Sequence, residues 1–465
     1  MLYLLVFYTF YKNYSIIRRK SFVGEIFFQS IMNVLKKVNI MNDRDFSKIS
    51  SKQNYIWNML GTISSSLVSV VLLLLASRLL DPKSSDIFSI AFALGQQFYV
   101  LGYFQIRNMQ STDVQEKYTF NSYHNTRIVT LLLMILTSFF YIIIQGYDLY
   151  KSLIVLLLVL YRAFDAYSDV FQGFFQQHNR SDLAGKILFY RSWVCIIIFG
   201  LCLFLSNSLM ISSVIVCLAN IFLTIILDYR ISKKYFDIDF LPSLKNDSSN
   251  IISILKDAFP LFLNGFLITY VYNEAKIDID TLLAQGYFSN GIQRDFNVLF
   301  MPVFVLSLLF FILRPLTTQL SIYWYEKRYK LFYKQVHILF SVMFILGLII
   351  IGIGYLVGTE VLGFVYGTSL VQYKVPFTIL LTAGILNVLA LVIDVVLTIF
   401  RKQSYLVIAY IVTFFIAKLV TMPFVMNNGI FGAAVSFLIS MTVFLISSFL
   451  IYLYVSYKSL KLKSQ

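Results

Sequence analysis

The sequence predicts an all-α polytopic membrane protein with about twelve transmembrane helices in two six-helix bundles around a central cavity, and with both termini cytoplasmic. Three observations support this fold class: the length of the apolar segments, the overall composition and an alternation in loop charge. The chain is 58% hydrophobic and only 13% charged. A soluble protein could not cover so much apolar surface with so little charge.

The apolar segments come first, because a spanning helix needs ~20 mostly apolar residues to cross a hydrocarbon core of ~30 Å. Segments that meet this requirement recur along the whole chain after residue 55. We predict spans at 56–77, 87–106, 128–145, 152–171, 187–205, 209–227, 259–279, 296–313, 336–357, 376–400, 404–423 and 430–455.

Basic residues alternate between the loops that join these spans. Lys and Arg collect in the even-numbered loops and in the two tails. The odd-numbered loops hold few basic residues, namely Arg78, Lys83, Lys151, Arg294 and Lys374. Because cytoplasmic loops retain Lys and Arg, this alternation predicts that both termini face the cytoplasm. It also accounts for the net charge of +15 without a nucleic-acid partner.

The chain divides into two halves at its longest hydrophilic connection, which contains Pro242 and an Asn/Ser run. We predict an N-terminal extension at 1–48, an N-terminal six-helix lobe at 49–228, a cytoplasmic linker at 229–257, a C-terminal six-helix lobe at 258–456 and a cytoplasmic tail at 457–465. The first eleven residues, 1–11, are apolar and aromatic, and the basic cluster at 18–20 follows this apolar run, unlike a secretory signal. One interpretation is an anchor at the membrane interface; the one we prefer is that the protein starts at Met32 or Met41 rather than Met1.

No signature of catalysis, of a nucleotide or of a metal is present. HExxH, P-loop, GxSxG and dinucleotide-binding motifs are all missing. Cys195, Cys202 and Cys217 lie inside predicted spans without ligand spacing, so we interpret them as small apolar residues. We therefore expect no enzyme, no catalytic residue, no metal site and no cofactor.

Charged residues inside the spans are the candidates for function, because each costs ~2.5–3.5 kcal/mol near the bilayer centre and must face the bundle interior or water. In span four, Arg162, Asp165, Asp169 and Gln172 share one helix face. Two interpretations stay open. Arg162 and Asp165 form a structural ion pair, or the stripe lines a transport cavity.

Three other spans carry polar residues at similar depth. Span seven has Asn273 and Lys276, for which Asp280 is the expected counter-charge. Span ten has Asp394 and span eleven has Lys418. Basic residues at the ends of spans are expected to snorkel to the interface instead; these are Arg78, Arg107 and Arg314.

Several stretches resemble the polysaccharide-transporter (Wzx-type flippase) branch of the MOP exporter superfamily, especially forms from low-GC Gram-positive bacteria. The resemblance covers nearly everything after residue 49 and is strongest in NYIWNMLGTISSS, in the Arg107/Asp113 pair, and in the Phe-Met-Pro run at 300–302 with Arg-Pro at 314–315. Relatives often carry Asn-Ala-Pro-Lys in span seven. Here Glu274-Ala275 stands between Asn273 and Lys276, so a helix-breaking proline is absent.

The resemblance implies a flippase of the bacterial plasma (inner) membrane. Its substrate would be an undecaprenyl-diphosphate-linked oligosaccharide, moved from the inner to the outer leaflet for capsule, exopolysaccharide or O-antigen-type assembly alongside polysaccharide polymerase and assembly proteins. A diphosphate needs cationic partners, and a glycan cannot cross hydrocarbon unaided. The hypothesised substrate-binding residues are Arg162, Lys276, Asn273 and Lys418. The hypothesised ion-coupling residues, for H⁺ or Na⁺, are Asp394, Asp165 and Asp169.

Two alternatives remain. A multidrug (MATE-type) exporter would share the architecture but would protect cells from cationic drugs. A membrane-embedded polymerase or ligase usually carries a large outward-facing catalytic loop. The outward loops predicted here are short, so the enzyme is the weaker alternative.

Overall fold

The computed structural model describes residues 50–113, 115–236, 248–307 and 319–461. Within these ranges the chain forms α-helices with short 3-10 and π-helical turns, and they contain no strand. The predicted N-terminal extension at 1–48 and Arg314 lie outside the described residues. The prediction of an all-α polytopic membrane protein is confirmed.

The N-terminal half of the described chain contains seven helices. They are α1 Ser51–Leu79, α2 Pro82–Tyr103, α3 Ile106–Thr112, α4 Phe120–Gln145, α5 Leu149–Gln177, α6 Ser181–Ser206 and α7 Leu209–Phe236. The C-terminal half begins with α8 at Ser248–Ala284. It continues with α9 Ile292–Ser307, α10 Tyr329–Ile353, a π-helical turn Gly354–Gly358, α11 Thr359–Tyr366, 3-10 turns at Val371–Tyr373 and Gln403–Tyr405, α12 Lys374–Ile399 and α13 Leu406–Lys461.

The prediction of about twelve spans is not confirmed. In the described ranges, eight helices are long and apolar enough to cross a membrane, or nine if the bent pair α2–α3 counts as one span. The charges of α5 set it apart from a simple apolar span, and α9 has only 16 described residues. Helix α13 covers the last two predicted spans and breaks at Gly429, where φ is 53° and ψ is −130°.

Helices α2 and α3 meet at a bend of 41°. Phe104 and Gln105 have φ values of 42° and 56°, a left-handed conformation that ends α2 before α3 starts at Ile106. Arg107 therefore lies after a turn in the chain and not at the end of a straight span. This bend brings Arg107 against α5.

Helices α1 and α6 approach closely because both present glycine at their contact. A Cβ atom added to Gly61 would lie 2.3 Å from the carbonyl oxygen of Gly185, and one added to Gly185 would lie 2.1 Å from that of Trp57. No side chain fits in either place. Close backbone contact of this kind is a common means of packing helices in membranes.

The two halves form lobes that meet along a seam, where α2 packs against α8 and α9, and α4 packs against α8. Each end of the seam carries an ion pair between the lobes. We name the Asp280 end after the pair Lys151–Asp280 and the Asp257 end after the pair Lys117–Asp257. The alternation of loop charge predicts that the Asp280 end faces outward and the Asp257 end faces the cytoplasm.

Candidate functional site

A cavity of about 410 Å³ lies between the lobes, lined by α1, α2, α3, α5, α6, α8 and α9. It extends from the middle of the seam toward the Asp257 end. Its wall carries four cations and two carboxylates, namely Arg107, Arg162, Arg191, Lys276, Asp165 and Asp169. Charge of this density inside a membrane protein marks a candidate functional site.

Asp165 is shared by two arginines. It accepts a hydrogen bond from Arg162 Nη1 at 3.0 Å, and Arg191 Nη2 lies 3.2 Å from its other oxygen. Asn220 Nδ2 donates to the same carboxylate at 3.2 Å. Asp228, behind the wall, lies 4.0 Å from Arg191 and supplies part of its counter-charge.

Arg162 is buried with donors to spare. Its Nε and Nη2 atoms have no hydrogen-bond partner among the described residues, although its guanidinium lies 4.8 Å from the centre of the Phe92 ring. A buried guanidinium that lacks acceptors carries a free-energy penalty, which an anionic ligand can relieve. This group therefore favours an anion in the cavity.

Asp169 is likewise held by two arginines. Arg107 Nη1 donates to it at 3.1 Å and Arg127 Nη2 at 2.9 Å. Arg127 is fully buried and also donates to the carbonyl oxygens of Gly102 and Tyr103 at the end of α2. It thereby fixes the bend that directs Arg107 into the cavity.

Lys276 enters the cavity from the C-terminal lobe. Its Nζ donates to Asn273 Oδ1 at 3.1 Å and lies 4.6 Å from the centre of the Phe300 ring. Asn273 in turn donates to Gln97 of α2 at 3.3 Å, which ties the lysine to the seam. The expected counter-charge for Lys276 is wrong, because Asp280 pairs with Lys151 instead.

The structure brings together five of the seven predicted site residues: Arg162, Asp165, Asp169, Asn273 and Lys276 all line the cavity. Lys418 and Asp394 are not among the lining residues. Lys418 pairs with Glu274 at 3.0 Å at the contact of α8 with α13, and Asp394 lies within α12. The functional roles of all seven stay predictions.

Three arginines that shape the site were missed or misassigned in the sequence. Arg191 is a charge within predicted span five, and this depth alone was a usable signal. Arg107 lies at a predicted span end, where snorkelling was the expected behaviour, and Arg127 is a basic residue of the second predicted loop. Their side chains turn inward because Asp169 on α5 pairs with both of them.

The donor set suits anions rather than metals. In the described ranges, no group of three or more His, Cys, Asp or Glu side chains is placed to hold a metal ion. Arg107, Arg162, Arg191 and Lys276 exceed the carboxylates in the wall by two charges. Guanidinium groups bind phosphate oxygens in pairs, so the wall can bind a phosphorylated molecule.

The fold is that of transporters of the MOP superfamily. An inward-facing structure of a multidrug resistance MATE family transporter matches with a TM-score of 0.55 at 12% identity, covering 90% of this chain and 97% of the other. An outward-facing MATE structure matches with a TM-score of 0.57 at 12% identity, covering 89% and 96%. A MOP superfamily transporter from Pyrococcus furiosus, described as having a binding pocket of reversed polarity, matches at 0.52 and 14%, covering 87% and 95%.

A match to a family profile identifies the chain more specifically than the shared fold does. The profile of the polysaccharide biosynthesis protein family matches residues 51–313, which is more than half of the chain. The chain belongs to this family. A comparison with curated proteins gave no match. These structural relatives are membrane transporters.

Proposed function

We propose that the protein is a flippase that moves undecaprenyl-diphosphate-linked oligosaccharides from the inner to the outer leaflet of a bacterial plasma membrane. The observation that carries this proposal is the excess of positive charge on the cavity wall, where Arg162 has unused donors and Lys276 has no carboxylate partner among the described residues. Membership of the polysaccharide biosynthesis protein family supports a glycan substrate.

Different residues of the cavity wall suit the different parts of such a substrate. Arg162 and Lys276, with Asn273 beside the lysine, would bind the diphosphate through charge-assisted hydrogen bonds. Ser69 and Gln96 lie in the same wall. Each would donate hydrogen bonds to the glycan hydroxyls and accept hydrogen bonds from them. The lipid chain would stay in the bilayer, so only the polar part of the substrate needs the cavity.

The predicted coupling carboxylates differ in their surroundings. Asp165 and Asp169 each bind two arginines, and we propose that they orient these cations. Among the described residues no arginine pairs with Asp394, which keeps its proposed role in coupling to H⁺ or Na⁺. Polysaccharide polymerase and assembly proteins are the proposed partners on the product side.

The alternative of a cationic-drug exporter is disfavoured by charge. A cavity wall with two more positive than negative groups repels a cation, and this cost is not offset by a free carboxylate in the wall. Drug sensitivity of a deletion strain separates the two functions. Sensitisation to cationic drugs with normal surface polysaccharide would support the exporter.

The proposal is tested with purified protein in vesicles that carry a fluorescent polyprenyl-diphosphate oligosaccharide. We expect Arg162→Ala and Lys276→Ala each to slow translocation by about 10- to 100-fold, since a hydrogen bond to a charged group contributes ~1.5–3 kcal/mol. Lys83→Ala is the matched control, because it removes one exposed positive charge outside the cavity. Full activity of both cavity variants would rule out this binding site.

A further inference from the structure

Helix α8 carries ionisable residues on two opposite faces. With ~3.6 residues per turn, Glu274 and Asp278 share one face, and Lys276 and Asp280 share the other. The face of Lys276 and Asp280 belongs to the cavity and the seam. The face of Glu274 meets α13 through Lys418, whose side chain is 55% exposed while that of Glu274 is 1% exposed.

The Glu274 face holds an unequal set of charges. Lys418 Nζ donates to Glu274 Oε1 at 3.0 Å and to Tyr270 Oη at 3.0 Å. Glu274 is 1% exposed, and among the described residues its second oxygen has no hydrogen-bond partner, although the Tyr270 hydroxyl lies beside the carboxylate. Asp278 is 5% exposed, and its Oδ2 atom also lacks a partner in the part of the chain that the structure describes.

Two carboxyl groups therefore share one ammonium group. Among the described residues, the charged groups that act on Asp278 are Glu274 on its own helix and Lys418 on α13. Tyr141 of α4 and Tyr270 of α8 also interact with Glu274, but a protonated tyrosine is neutral, so neither hydroxyl balances the negative charge. If both carboxyls were ionised, the cluster would hold one uncompensated negative charge in the membrane interior, which is strongly unfavourable.

We propose that Glu274, Asp278 and Lys418 form a proton-binding site. Asp278 binds the proton while Glu274 stays ionised and paired with Lys418. One proton makes the cluster neutral and gives the buried Asp278 carboxyl an O–H donor. The site lies outside the substrate cavity.

The position of this site gives the proton a route to the transport machinery. Glu274 and Asp278 alternate along α8 with Lys276, which lines the cavity, and Asp280, which joins the lobes. A proton that binds to or leaves the Glu274 face therefore changes the charge of the same helix that carries Lys276 and Asp280. Only this coupling to transport rests on the proposed function; the proton site itself does not.

Infrared difference spectroscopy of the purified full-length protein tests the site without any substrate. The area of the carbonyl band of protonated carboxyl groups is measured in detergent at neutral pH and at alkaline pH. We expect Asp278→Asn to lose the area of one carboxyl group from the neutral spectrum relative to the unmodified protein. Asp280→Asn is the matched control and should leave the area unchanged, because Asp280 pairs with Lys151 and not with the Glu274 cluster.

Two more variants follow from the charge count. Glu274→Gln should also lose one carboxyl group from the band, because Lys418 is then free to pair with Asp278. Lys418→Met should gain one, because Glu274 loses its counter-charge and takes a proton as well. The opposite signs cannot both result from misfolding, and each variant is checked for a single symmetric elution peak.

Three outcomes would overturn the site. The first is an Asp278→Asn band equal to that of the unmodified protein, and the second is a Lys418→Met band without the gain. The third is a loss of the band when sodium replaces choline at constant pH, which would assign the site to a metal cation. A positive infrared result without oligosaccharide translocation would leave the proton site standing and remove the proposed function.

Discussion

The two ends of the lobe seam are built differently. At the Asp280 end, Lys151 Nζ lies 2.6 and 2.8 Å from the two oxygens of Asp280, and Tyr147 donates to the same carboxylate at 2.9 Å. At the Asp257 end, Lys117 lies 3.7 Å from Asp257, and their side chains are 63% and 48% exposed. One pair is buried and bidentate, whereas the other is open to its surroundings.

Two further contacts reinforce the Asp280 end. Asp86 of α2 accepts hydrogen bonds from the backbone N–H groups of Gly291 and Arg294 at the start of α9. Arg78 of α1 donates to carbonyl oxygens at the end of α11, among them that of Val365. Each contact joins one lobe to the other, so the closure of this end is distributed over three places.

The Asp257 end has a stacked aromatic contact instead. The rings of Phe104 and Phe262 lie 4.1 Å apart at an angle of 10°. The cavity extends toward this end, where Arg107 and Gln172 line it. The difference teaches that the lobes are closed at the Asp280 end, which by the predicted orientation is the outer side.

The largest effect is expected from Lys151→Met. This change leaves Asp280 buried without its counter-charge, and breaking such a pair costs ~3–5 kcal/mol. The seam should then open at the Asp280 end. The measurement is the rate at which a membrane-impermeant thiol reagent modifies Ser69→Cys in the cavity wall from the outer side, in protein whose native cysteines are alanine, and we expect a rise of at least about tenfold.

The control for Lys151→Met removes both charges. In Lys151→Met with Asp280→Leu no unpaired charge remains, and replacement of a buried pair by apolar residues is often neutral. Labelling should therefore return toward the rate of the parent protein. If Lys151→Met alone leaves the labelling rate unchanged, this pair does not close the seam.

The sequence predicted the parts of the fold that depend on local properties. Hydropathy over ~20 residues gave the positions of the helices, including the division of α13, since the predicted spans 404–423 and 430–455 flank the break at Gly429. The pair Arg162–Asp165 was also accessible, because residues three apart on a helix share a face. Both are properties of a short stretch of chain.

Partners across helices were not accessible in the same way. Asp280 binds Lys151, which is 129 positions away, although Lys276 is a nearer cation on the same helix. Similarly, Arg191 pairs with Asp165 of another helix. Which cation pairs with each carboxylate depends on how the helices and lobes pack. A single sequence does not contain this information about contacts between helices. Charges within the membrane therefore identify candidates for a site but not its pairings.

A smaller effect is expected from Asp86→Ala. Its carboxylate caps the first turn of α9 from the other lobe, and loss of such a cap costs ~0.5–2 kcal/mol. The denaturation midpoint of the purified protein should fall, and outer labelling of Ser69→Cys should rise by less than in Lys151→Met.

Asp81→Ala is the matched control for Asp86→Ala. Asp81 caps its own helix by accepting from the backbone N–H of Ser84 at 3.0 Å, so its loss removes a similar hydrogen bond without touching the seam. Its midpoint should fall while outer labelling stays unchanged. Equal labelling in the two variants would mean that Asp86 stabilises α9 without holding the lobes together.

The smallest effect is expected from Lys117→Ala at the Asp257 end. Exposed ion pairs contribute little because water and salt screen them, and this pair is both long and exposed. The denaturation midpoint and the labelling of Ser69→Cys from either side should match the parent protein within error. A clear rise in labelling from the cytoplasmic side would show that this pair also closes the cavity. The contrast between the two ends would then be one of burial, and both ends would act as gates.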